Sequence, residues 1–158
     1  KKKFVFYGTI SNEDEIKAYV VSSAVLLTMG MKGFQYQNSV RRIVVYPSQY
    51  FSKINKQHHL GEYNPRLKIL VFAADALKQG FAIPNDGINL GIHELSHALC
   101  YEMRPNGKWE NKRFHVGLKK LREFLKDSES VEKLSKEAFF RDYAYRNVFE
   151  FFAILTEC

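Results

Sequence analysis

The run His93-Glu94-Leu95-Ser96-His97 sets two imidazoles four positions apart, with a carboxylate directly after the first. On an α-helix, positions i and i+4 lie one turn apart on one face. Two imidazoles so placed can share one Zn2+ at about 2.0–2.1 Å per nitrogen. Glu94, about 100° further round, reaches a water at that metal without ligating it. The neighbouring residues supply the helix. Ile88, Ile92, Leu95 and Leu99 recur at a 4-3-4 spacing and mark one apolar face. Both histidines point well away from the centre of that stripe. A chain built round this run must bury one side of a helix and leave the other facing a cleft.

Two histidines do not hold a catalytic metal alone; a third protein ligand is needed, with the fourth position left to water. Three residues qualify by type. Cys100 lies on a similar helical face, but it is seven residues from His93, about 10.5 Å along the axis. His115 is a lone histidine flanked by Phe114 and Val116, a setting that suits a packed ring equally well. Glu150 stands third after Asn147 in the capping-box form N-x-x-E, so it is either a ligand or a cap partner. The residues by themselves leave the choice open.

Elsewhere the patterns predict an α+β chain, rich in helix, with a small sheet. Phe4–Tyr7, Arg41–Tyr46 and Leu67–Ala73 read as strands, the last apolar enough to be buried. Ser11 followed by an acidic stretch predicts an N-cap, opening a helix that runs to about Met29 and stops at Gly30. Pro47 suits the first position of a short helix through Phe51. Asn85-Asp86-Gly87 is turn chemistry before the helix of the histidine pair, which is expected to run from about Ile88 to Met103. Further helices are predicted over Lys112–Lys126, over Val131–Phe140 and from Asn147 to the end.

Length and composition bound the rest. A chain of 158 residues with 46% apolar and 26% charged residues suits one compact domain. Thirteen Phe and nine Tyr supply core material without disulfides. Cys100 and Cys158, the two cysteines, fit a reducing compartment, so a cytoplasmic setting is expected. The net charge is +7, but the basic residues are scattered apart from Lys1-Lys2-Lys3 and Arg41-Arg42, and no nucleic-acid partner is expected. No apolar run approaches the ~20 residues that span a bilayer. The chain begins at three lysines and stops inside a helical pattern, so it reads as trimmed at one or both ends. An anchor outside it stays open.

Taken together, Gly87–Leu99 (G-I-N-L-G-I-H-E-L-S-H-A-L) and Phe149–Glu157 (F-E-F-F-A-I-L-T-E) resemble the Mlc titration factor A family of zinc peptidases, also called the glucose-regulated metallopeptidases. The E-F-F-A element is similar to one in the catalytic domain of anthrax lethal factor, a related gluzincin. Val44-Val45-Tyr46-Pro47 and Leu60-Gly61-Glu62-Tyr63 resemble weaker family signatures, and the likeness extends from about Val40 to the end.

The resemblance implies a zincin-like metallopeptidase domain. It makes His93, His97 and Glu150 the zinc ligands and Glu94 the general base. Tyr143, seven residues before Glu150, becomes a catalytic tyrosine with Tyr145 as a nearby competitor. Glu157 falls on the face of Glu150, as a group supporting the ligands. Cys100 stands where the family usually has an aspartate that orients a histidine. A peptide or protein substrate is implied, bound extended against a strand edge for which Leu67–Ala73 is the candidate. The family's repressor-titrating name also implies a possible regulatory protein partner, in which case the metal site would be a vestige.

Overall fold

The computed structural model describes residues 2–52, 56–83, 86–137 and 140–158. Lys1 and Asn85 lie outside the described residues, as do residues 138–139 of the expected Val131–Phe140 helix.

The chain opens with strand β1 (Lys3–Phe6), helix α1 (Glu13–Leu27) and strand β2 (Arg42–Tyr46). β1 and β2 pair in parallel, Val5 opposite Val44, so α1 is the crossover that parallel strands require. The cap of α1 is Asn12, whose side chain accepts from the Glu15 N–H; Ser11, the expected cap, sits one residue too early. Two short strands follow, β3 (Tyr50–Ser52) and β4 (Gln57–His59), paired antiparallel. The short helix expected after Pro47 is therefore a strand. Tertiary contacts override the local signal there: Tyr50 stacks on Tyr46 at 4.8 Å, Tyr46 stacks on Tyr7 at 5.1 Å, and β4 supplies a ladder partner.

Strands β5 (Gly61–Asn64) and β6 (Ile69–Ala73) form a hairpin, and β6 pairs in parallel with β2. The sheet order is β1-β2-β6-β5. The apolar run predicted as a strand is thus an inner one, with Leu70, Phe72 and Ala73 fully buried. It offers no edge to a substrate. The outer strand on that side is β5, absent from the sequence reading because G-E-Y-N lacks a run of β-branched residues.

Helix α2 (Ala74–Ala82), which no sequence signal had marked, leads to α3 (Leu90–Glu102), the helix of the histidine pair. α4 (Trp109–Phe124), α5 (Ser128–Lys136), a 3-10 turn over Asp142–Arg146 and α6 (Val148–Glu157) complete the chain. Ile16, Val20, Val45, Phe72, Leu77 and Leu95 interlock between the sheet, α1, α2 and α3 in the main core. A second apolar group joins Cys100, Leu118 and Val148 across α3, α4 and α6. α3 is therefore buried on more than the stripe predicted for it: Leu95, Ala98 and Leu99 face apolar neighbours, whereas Ile88 lies before the helix and is 46% exposed. α1 comes close to α3 at Gly91, where an added Cβ would stand 2.2 Å from Ser23 Oγ. No helix among the described residues is long and apolar enough to cross a membrane.

Candidate metal centre

Asn89 begins the site by capping α3. Its side chain accepts from the Ile92 N–H at 3.0 Å, which fixes the first turn and sets His93 and His97 on one face. The two rings stand nearly perpendicular, centroids 4.9 Å apart, with Nε2 facing Nε2 at 3.3 Å.

α6 runs antiparallel to α3 and delivers the carboxylates. Asn147 Oδ1 accepts from the N–H groups of Phe149 and Glu150, at 2.9 and 3.1 Å, so Glu150 occupies the third helical position. A capping box would send its side chain back to the Asn147 N–H, and no such bond occurs among the described residues. Instead Glu150 Oε2 lies 3.3 Å from His93 Nε2 and 3.6 Å from His97 Nε2. Asn147 is a real cap, and the glutamate it positions is turned to the histidines.

Seven residues later on α6, Glu157 is enclosed, its side chain 1% exposed. Its Oε1 meets His93 Nδ1 at 2.7 Å and Arg141 Nη2 at 2.7 Å, and its Oε2 accepts from the Asn89 N–H at 2.8 Å. A carboxylate at the first N–H groups of α3 also complements the positive end of that helix. Because a carboxylate accepts, Nδ1 of His93 carries the proton and its Nε2 lone pair is aimed at Glu150 and His97.

His93, His97 and Glu150 each offer an atom within 4.8 Å of the others'. Each can present an acceptor: the ionised carboxylate through its oxygens, each neutral imidazole through the ring nitrogen that carries no proton. Glu150 Oε2 is buried and faces the two imidazoles at distances too long for well-formed hydrogen bonds. Facing lone pairs in a partly buried site repel unless a proton or a cation lies among them. The donor set, two nitrogens and one carboxylate oxygen with a side open to the cavity, suits a borderline-soft divalent cation. Without a cation the proton is the substitute. Burial opposes charging His93, yet its bonds to Glu150 and Glu157, with Glu94 nearby, raise its pKa to about 9. Burial alone would raise the pKa of Glu150; the two histidines outweigh it and hold the carboxyl far below its usual range.

Glu94 is 7% exposed and points the other way, towards β5. There Gly61 leaves the room that Glu94 occupies: an added Cβ would stand 2.6 Å from Leu90 Cδ1 and 2.8 Å from Glu94 Oε1, so both side chains would have to shift. Burial pushes the Glu94 pKa up, against the pull of His97 and His93.

These groups line a cavity of about 480 Å3 between β5, α3, α4 and the start of α6. Tyr143, on the 3-10 turn, lies on its wall with its ring 6.5 Å from that of His93. Burial, and then the Glu150 carboxylate, raise its pKa. Tyr145 packs on Phe151 instead and does not line this cavity. Cys100 and His115 both reach the cavity wall but stand outside the ligand cluster. Cys100 makes no hydrogen bond to either histidine among the described residues, and burial pushes its pKa up to about 12. Sequence reasoning missed Arg141 and Asn89. Asn89 was readable as a cap-type residue before a helical pattern; nothing local marks Arg141.

The family model of the glucose-regulated metallo-peptidases, M90, matches residues 1–158. No curated relative matches the chain at a significant level.

Proposed function

The chain belongs to the glucose-regulated metallopeptidases, and from that premise we propose that it hydrolyses peptide bonds at a zinc ion held by His93, His97 and Glu150. The convergence of three acceptor atoms beside a buried glutamate carries the reading. Bound there, the cation would polarise the scissile carbonyl and acidify a water.

The chain's own groups do the remainder. Glu94 takes a proton from the attacking water and returns it to the leaving amine. Its burial, which raises its pKa, brings its proton affinity nearer to that of the groups it serves. Tyr143 contributes its hydroxyl to the developing oxyanion, from the cavity wall beside His93. Glu157 holds the His93 ring in the tautomer that leaves Nε2 free, and Arg141 holds Glu157. The substrate lies extended along β5, the outer strand over α3.

Elemental analysis of protein purified without added metal, after mild dialysis, tests the premise: one zinc per chain is expected. Absence of metal removes the mechanism. Bound metal without turnover of any peptide would favour a partner-binding role for the same site.

A further inference from the structure

We propose that the end of the cavity beyond Cys100 is a carboxylate-binding subsite, built from Arg104 and His115, that selects substrates carrying an acidic group. The inference rests on the peptidase reading and refines it to a substrate class.

Arg104 is the second residue past α3, and its side chain reaches back to Tyr101, which lies four residues and about 6 Å along the helix axis beyond His97. Its guanidinium lies 3.9 Å over the Tyr101 ring. That ring packs edge-on against Tyr63 of β5, whose hydroxyl donates to the Ser39 carbonyl at 2.9 Å. The stack holds the cation on the cavity wall, where a freely moving side chain would swing into solvent. Among the described residues no carboxylate lies within ion-pair distance of it. His115, from α4, lines the same cavity, and its Nε2 is buried without a hydrogen-bond partner among the described residues. A guanidinium and an imidazole N–H are both satisfied by an acceptor-only ligand, and a carboxylate is the one a peptide supplies.

Charge along the cavity agrees. Glu62, Glu94 and Glu150 line the cavity with the histidine pair, and Arg104, past the C-terminal end of α3, is the one Arg or Lys among its described lining residues. A lysine side chain would be repelled at the Arg104 end. An extended peptide advances about 3.3 Å per residue, so the recognised carboxylate sits about two or three residues from the bond that is cut. An Asp or Glu side chain and a chain-terminal carboxylate present the same chemistry.

The test is kinetics of the zinc-loaded full chain on matched peptides. Glu, Gln or Lys is walked through the positions on both sides of the cleaved bond, each with a free or an amidated C-terminus. At one position Glu should exceed Gln roughly tenfold in kcat/KM, with Lys lower still. A preference that survives amidation identifies a side chain; one that vanishes identifies the terminal carboxylate. Arg104→Glu should invert the order to Lys over Glu at that position, and His115→Gln should shrink the preference without inverting it. Misfolding cannot invert a ratio between peptides measured on one protein. Equal rates for Glu, Gln and Lys throughout, or an order that Arg104→Glu leaves intact, would overturn the subsite. If no peptide is cleaved, the peptidase reading fails instead, and the same ordering is read from Kd values on Glu94→Gln protein.

Discussion

Glu94 and Glu150 are the same side chain pushed in opposite directions by their surroundings. Glu150 faces two imidazole nitrogens, which hold it ionised; Glu94 faces β5 and apolar neighbours, which favour its protonated form. Glu94→Gln should therefore abolish peptide cleavage through kcat while metal content and melting temperature hold, because an amide cannot take a proton. Loss of zinc in that variant would mean that Glu94 had been misread as a base. Tyr143→Phe keeps the ring beside His93 and the Arg146 guanidinium 4.5 Å above it, and removes only the hydroxyl. kcat should fall by roughly 10²–10³, as when one oxyanion donor is lost. Undiminished turnover would leave Tyr143 as a wall of the cavity. Cys100 is a case where the residue type matters. A buried thiol with its pKa near 12 cannot orient His97 as an aspartate would. His93, gripped by Glu157, is thus the better-fixed member of the pair.

Among the elements, the antiparallel pair α3 and α6 makes the site. Three contacts register them: Glu157 with His93 and the Asn89 N–H at one end, Ser96 Oγ with Thr156 Oγ1 at 2.7 Å, and Glu150 with the two histidines. On its other side α3 is pressed against α1 at Gly91, whose neighbour Ser23 is fully buried and already bonded to the Tyr19 carbonyl at 2.9 Å. Gly91→Ala cannot be absorbed by a flexible side chain. Helix propensity favours alanine by about 1 kcal/mol, but overpacking of this kind costs about 1–3 kcal/mol. The variant should be destabilised in urea unfolding, and metal affinity should weaken as His93 shifts with its helix. A Gly91→Ala protein as stable as the parent would show that α1 and α3 are less closely seated.

For the whole molecule, the site couples stability to pH and to metal. In metal-free protein the His93 pKa rises from its usual 6.5 to about 9, so the ion pairs with Glu150 and Glu157 stabilise the fold fully below 6.5. That stabilisation is lost as pH climbs through about 9. Glu150, whose pKa is depressed from 4.5, adds stability above 4.5 that is lost as pH falls. Metal-free protein should accordingly melt highest at about pH 5 to 6 on these two groups. A zinc ion held there would compete with the His93 proton, so its affinity should weaken about tenfold per unit of pH decrease below 9. Calorimetry in buffers of different ionisation enthalpy reads the proton release directly. Zinc uptake with no proton exchange at neutral pH would contradict the His93 environment described here.

The helix of the histidine pair, the cap at Asn147 and the first two parallel strands were legible in the chain, because each depends on neighbours within a few residues. HExxH follows from the helical repeat, N-x-x-E from a cap, and R-I-V-V-Y from β-branched content. Those patterns left Cys100, His115 and Glu150 all open as third ligand, and only resemblance to a family ranked them. The fold places Glu150, and neither Cys100 nor His115, in one cluster with the two histidines by laying α6 alongside α3, a contact across more than fifty residues. The same is true of Tyr50–Ser52, turned from helix to strand by a ring stack and a ladder partner. β5 rather than β6 is the outer strand, since order in a sheet is a property of the assembly. Arg141 on Glu157, and Arg104 on Tyr101, carry no local signature at all. Local hydrogen bonding and side-chain period are written in sequence; which surfaces meet is fixed only by packing the whole chain.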